Sequence, residues 1–224
     1  MTPLTTHRHP HLVLSMLCVV TVVMVLLLCS GYANAAVLCP PSGSGGDALA
    51  NRQKNRKENV DKPNPLSLQE IRALAIPPGI KRERDEWPPA VVKTVAEQER
   101  RLVVTEGYVI DVRREGPEAA NCKLKEWTDY ELWIADSPTA TKSDAVVVEI
   151  TPGIRALHSG WTLDTLQRFK AYRAKFRFTG RLFVDSAHLA DSAQVRGAPL
   201  RVTLWEIHPI TKIEVLDGAI WVVQ

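Results

Sequence analysis

The spacing of apolar and polar positions changes three times along the chain. Residues 12–29 are apolar almost throughout, interrupted only by Ser15 and Thr21. Residues 36–65 show no apolar period. Residues 66–100 have helical spacing: Ser67-Leu68-Gln69-Glu70 is a capping-box pattern, with Leu68, Ile71 and Leu74 on one face. Pro77-Pro78-Gly79 stops that helix, and a second is expected after Pro88-Pro89, with Val91, Val92 and Val95 inward. From residue 101 the period becomes two.

Strands are predicted at 102–114, 129–136, 145–151, 175–185 and 201–207. The last continues over 210–215 after a break at His208-Pro209, and 219–223 could add a short terminal strand. Gly107 inside the first strand predicts a bulge or bend. Thr162 is the expected N-cap of a helix carrying Leu163, Leu166 and Phe169 at helical spacing. The order β-β-β-α-β-β, with a bent first strand that can serve both sheets, predicts a mainly β fold. Its expected form is an OB-like, five-stranded Greek-key barrel with a helix between strands 3 and 4. The expected division is a targeting segment over 1–35, a disordered linker over 36–65, a short helical segment over 66–100 and the barrel over 101–224.

The first segment reads as an export signal. Residues 1–11 carry Arg8 and three histidines without an acid, and Ala33-Asn34-Ala35 after the apolar run fits a signal-peptidase site, with cleavage before Ala36. The apolar run is eighteen residues long, above the roughly 7–15 of a signal peptide, so an uncleaved membrane anchor is the alternative. Leu28 before Cys29 and Leu38 before Cys39 stand where a lipobox needs a small residue. The expected location is periplasmic or extracellular, tethered if the segment stays. Cleavage leaves two of the four cysteines, Cys39 and Cys122. They are the candidates for a disulfide; a mixed disulfide or a free thiol is the alternative. Neither sits in a CxxC or CxH pattern.

Charge then narrows the partners. The chain is +3 overall, but from residue 66 onward it holds 22 basic and 22 acidic residues. A phosphate-binding surface usually shows a basic surplus. Basic residues in the linker (Arg52, Lys54, Arg56, Lys57) could meet an anionic surface or remain a solvated tether. For single-stranded nucleic acid, the candidate platform is Trp133, Arg177, Arg181, Phe183 and Trp205. For catalysis, the acids are Asp111, Glu149, Asp185 and Glu206, with His158, His188, His208 and Cys122 as further ligands. No histidine pair has HxH or HxxxH spacing, and there is no Gly-rich phosphate loop, GxSxG or HExxH. The sequence therefore assigns no catalytic residue, metal or cofactor. Glu206 and His208, two apart on a strand, face the same way. They would form either a proton-responsive pair or, on the structural reading, a backbone cap and a support for the break at Pro209. What remains is a non-enzymatic exported module binding a protein, an envelope polymer or a small ligand, through residues that include His208. Single-stranded nucleic acid is the alternative.

Gly107-Tyr108-Val109, Glu115-Gly116-Pro117-Glu118 with Asn121-Cys122, Val146-Val147-Val148-Glu149 and above all Leu204-Trp205-Glu206-Ile207-His208-Pro209 resemble a group of exported bacterial proteins with OB-like domains. The resemblance spans residues 102–215 and implies a fold, not an activity. Where that group carries histidines after the Asn-Cys pair and before the second-strand Ile, this chain has Lys123 and Trp133.

Overall fold

Alternating strands must bury one face, and here they do so by closing on themselves. The structure is a computed structural model and describes residues 39–57, 61–191 and 201–224. All elements below lie in the unit Pro41–Gln224. The targeting segment 1–35, with its cleavage site, lies outside the described residues. Among the described residues, no helix is long and apolar enough to cross a membrane.

In chain order the elements are α1 (Ala48–Lys54), β1 (Asn64–Pro65), α2 (Leu68–Ala73), α3 (Pro89–Glu99), β2 (Leu102–Arg114), β3 (Tyr130–Ala135) and β4 (Val146–Ile150). Then come α4 (Pro152–Arg155), α5 (Leu163–Tyr172), β5 (Lys175–Val184), β6 (Trp205–Asp217) and β7 (Ile220–Val223). The fold is mainly β, around a closed barrel of five strands in the order β2-β3-β4-β6-β5, with β5 returning to β2. β1 runs parallel to β2, and β7 folds back antiparallel on β6.

β2 closes the barrel by changing partners halfway. Leu102 to Tyr108 pair with β5, and Tyr108 to Arg114 pair with β3. The register shift lies between Val109 and Asp111, not at the glycine where the bend was expected. Gly107 stays in register with Phe176. It leaves room for α2, since a Cβ there would come within 3.0 Å of Leu68 Cδ1. Inside the barrel, Val103, Leu132, Ile134, Val148, Phe176, Phe178, Leu182 and Ile207 are buried in one core. Phe169 of α5 stacks on Phe176 with ring centroids 4.4 Å apart.

The helices start where their caps stand. Ser67 and Glu70 complete the capping box of α2, and Thr162 accepts from Thr165 N at α5. In α3, Val91 and Val95 are buried, whereas Val92, expected inward, is exposed. A helix turns by about 100° per residue, and here the stripe that faces the core takes Val91 and Val95 and leaves Val92 turned outward.

Two expectations are corrected. Much of the supposed linker is structured: Asp47 caps α1 through Leu49 N and Ala50 N, and Asn51 and Lys54 are buried. Arg56 donates to the backbone oxygens of Glu99, Leu182 and His208. Lys54 and Arg56 are therefore spent on the fold and are not a patch for an anionic surface. Nor does β6 break at Pro209. The register runs Leu182↔Ile207 and Gly180↔Ile210, so His208 and Pro209 together oppose Arg181 in a bulge. A bulge tolerates a residue without an N–H. Gly180 is needed there, because a Cβ would meet Pro209 O at 2.4 Å.

Candidate functional site

Alternation sends every second strand residue outward. On neighbouring strands those outward residues are acidic: Glu131 of β3 lies opposite Glu149 of β4, and Val148 pairs with Ile207, which stands between Glu206 and His208 of β6. Asp129 precedes β3, and Asp185 follows β5. This outer face is closed to solvent. Exposure is 0% for Asp129, Glu131 and His208, 1% for Glu206, 2% for Glu149, 3% for Asp185 and 4% for Arg201.

Buried charge needs partners. Arg201 supplies most of them: it donates to Glu206 Oε2 at 3.0 Å and to Glu131 Oε1 at 3.1 Å, and lies 3.7 Å from Asp185 Oδ2. Lys54 Nζ, from α1, pairs with Glu118 at 3.0 Å. Asn121 donates to Asp129 Oδ1 at 2.8 Å. Glu131 also meets Arg113.

The imidazole of His208 lies at the centre. Nδ1 hydrogen-bonds Glu206 Oε1 at 3.0 Å and lies 3.1 Å from Glu149 Oε2, while Nε2 lies 3.4 Å from Asp129 Oδ2. Neither the 3.1 Å nor the 3.4 Å contact meets hydrogen-bond geometry, so Asp129 Oδ2, Glu149 Oε2 and His208 Nε2 are buried with no hydrogen-bond partner. Burial opposes the imidazolium, but Glu149, Asp129 and Glu206 outweigh it and push the His208 pKa up to about 10. Burial, reinforced by Glu206, drives Glu149 well above the carboxylate range. Glu131 rises to about 8 through burial and its hydrogen bond with Glu115. Asp185 goes the other way: despite burial, Lys54, Arg201 and the histidines hold it at about 2.

The residues expected to form an aromatic platform are dispersed, and its aromatics are covered. Trp205 is buried in the core, its indole N–H donating to Ala75 O at 3.2 Å. Trp133 is buried on the outer face beside Ala135, Ala145 and Val147. Phe183 is buried against the His208 ring and beneath Arg84. Arg177 pairs with Glu106 and Arg181 with Asp61. Phe183 meets His208, the other ligand-binding candidate, and the described residues present no stacking surface built from these aromatics.

Of the four candidate acids, Glu149, Asp185 and Glu206 converge. Asp111 does not; it sits with Lys142 and Lys170. His158 stacks on Trp161, and His188 hydrogen-bonds Asp191. Cys39 and Cys122 are each disulfide-bonded. Glu206 and His208 do face each other, but Glu206 binds Arg201 and His208 side chains, where the structural reading had it capping backbone groups. Sequence reasoning missed Asp129, Glu131 and Arg201, and placed Lys54 in a basic patch of the linker instead. One signal was available: Glu131 alternates onto the face of Trp133, a charge in the middle of a strand.

One cavity touches the cluster, and a larger groove is lined by other residues. The cavity, of about 320 Å³, is lined by Lys54, Glu118, Phe183 and Asp185 among others. The groove, of about 830 Å³, runs past Glu106, Lys175, Arg177, Lys212 and Glu214. Its charges pair among themselves, Glu106 with Lys175 and Arg177, and Lys212 with Glu214. No protein-family profile, curated protein or solved structure matches the chain.

Proposed function

We propose that the chain is an exported, non-enzymatic binding module on an OB-like barrel, and that it takes a small positively charged ligand on the outer face of β3, β4 and β6. OB barrels bind through the face of their second and third strands and through the loops joining strands 1–2 and 4–5. Counted along this barrel, those are β3, β4, residues 115–129 and residues 185–204. Asp129, Glu131, Glu149, Asp185 and Arg201 all come from these parts.

The observation that carries the reading is the set of unpartnered polar atoms on a face rich in carboxylates. Such a face repels phosphate, which argues against nucleic acid. Its near-complete burial favours a ligand of a few atoms over a polymer or a substrate that must turn over. The test is a thermal-shift panel of divalent ions, a polyamine and lysine amide, run beside a salt-titrated oligonucleotide assay. Stabilisation by a cation that disappears in Glu149→Gln supports the reading. Oligonucleotide affinity rising at low salt, or no response to any cation, overturns it.

Export and cysteine pairing belong to the same proposal. A mature chain beginning at Ala36 outside the cytoplasm, with Cys39 and Cys122 in one cross-linked peptide under non-reducing conditions, is the expected result. Two free thiols in the secreted protein would refute the bridge.

A further inference from the structure

Resting on that reading of the polar face, we infer that its ligand is a divalent transition-metal ion held by Asp129, Glu149 and His208. Each residue offers one donor atom, and the three lie within 4.8 Å of one another. Asp129 Oδ2, Glu149 Oε2 and His208 Nε2 are also the cluster's atoms without a hydrogen bond. Leaving one buried polar atom unsatisfied is costly, and three that converge share a single remedy.

The spacing agrees. Metals hold carboxylate oxygen and imidazole nitrogen at about 2.0–2.2 Å, which puts neighbouring donors about 3–3.5 Å apart. Asp129 Oδ2 already approaches Nε2 at 3.4 Å, while Glu149 Oε2 lies 3.1 Å from Nδ1 of the same ring. Two carboxylates with one imidazole suit zinc or manganese better than magnesium, which prefers oxygen alone and keeps its water. Glu206 then serves as the partner that orients the ring, through its 3.0 Å bond to Nδ1, while Nε2 faces the ion.

A second group of acids, Glu149, Asp185 and Glu206, is equally close together. It is the weaker candidate, because Arg201 already stands 3.0 Å from Glu206 and 3.7 Å from Asp185. Lys54 adds a further positive field at Asp185.

The test is calorimetric titration of the chelator-stripped chain with Zn²⁺ and Mn²⁺, with Mg²⁺ for comparison. One Zn²⁺ or Mn²⁺ per chain is expected, with Mg²⁺ much weaker. Asp129→Asn and Glu149→Gln, each checked for retained fold by circular dichroism, should weaken binding about 100-fold or more. Asp185→Asn should leave most of the affinity in place. No binding by folded wild-type protein overturns the metal, as does binding that both ligand variants retain. Loss in Asp185→Asn but not in Asp129→Asn would move the ion to the second group. If metals fail while the polyamine or lysine amide still binds in a Glu149-dependent way, the polar-face reading stands and only the metal falls.

Discussion

The two faces of β3, β4 and β6 are made by alternate residues of the same strands, yet they are held together in different ways. Leu132, Val148 and Ile207 fill the barrel, and any apolar side chain of similar volume would satisfy them. One step along each strand, Glu131, Glu149 and Glu206 are as deeply buried, but they depend on charged neighbours: Arg113 and Arg201 at Glu131, Arg201 and His208 at Glu206, and His208 near Glu149. Apolar packing is interchangeable and insensitive to pH. The polar layer is specific, and removing one member leaves others unpaired. A protein has little stability reason to keep such a layer, because hydrophobic replacement of a buried ionic network is often neutral or better.

The largest effect should come from the hub of the polar layer. Arg201→Met leaves Glu131, Glu206 and Asp185 without their shared cation, and should lower unfolding free energy by about 4 kcal/mol in urea titrations at neutral pH. A loss below about 1 kcal/mol would mean that the layer relaxes as freely as the core. Next comes the apolar side. Leu132→Ala should cost about 3 kcal/mol through lost burial and the cavity left behind, and by the same amount at pH 4 and pH 7. A strong pH dependence there would blur the distinction between the faces.

Asp185→Asn should be smaller, about 2 kcal/mol at pH 7. Its sign with pH follows from the depressed folded value. The carboxylate stabilises fully above its ordinary pKa near 4, and that stability is lost as pH falls through about 2. Wild type and variant should therefore converge in acid unfolding below that point. A constant gap would show that the difference is packing alone. The smallest effect is expected at the surface. Asp111, held below its usual pKa by Lys142 and Lys170 against partial burial, should cost under about 1 kcal/mol as Asp111→Asn. High salt should erase that difference, whereas the Arg201 effect should persist.

The same contrast explains what was legible in the sequence. Strand positions follow from local alternation, and 102–114 and 175–185 fall almost residue for residue on β2 and β5. The inward sets Leu132/Ile134 and Phe176/Phe178 are equally local. What covers the outward set is not local. Trp133 and Phe183 read as solvent-facing because nothing near them in the chain says that their face is roofed. Asp129, Glu149 and His208 come from three separate strand regions, so no short spacing announces them. Pro209 marked a break because the bulge that accommodates it is formed with Arg181, on another strand.

The α1 segment has a consequence for how the chain reaches this state. Arg56 bonds His208 O across 152 residues of sequence, and Lys54 reaches Glu118 across 64. The first cannot exist until the barrel's last long strand is in place, and the second waits for the connection that follows β2. Among the structured residues, those that leave the ribosome first have to wait for those that leave near the end. Contacts this distant in sequence are slow to form, because the chain between them must be ordered first. The segment that looks like a leash is the latch, fastened last.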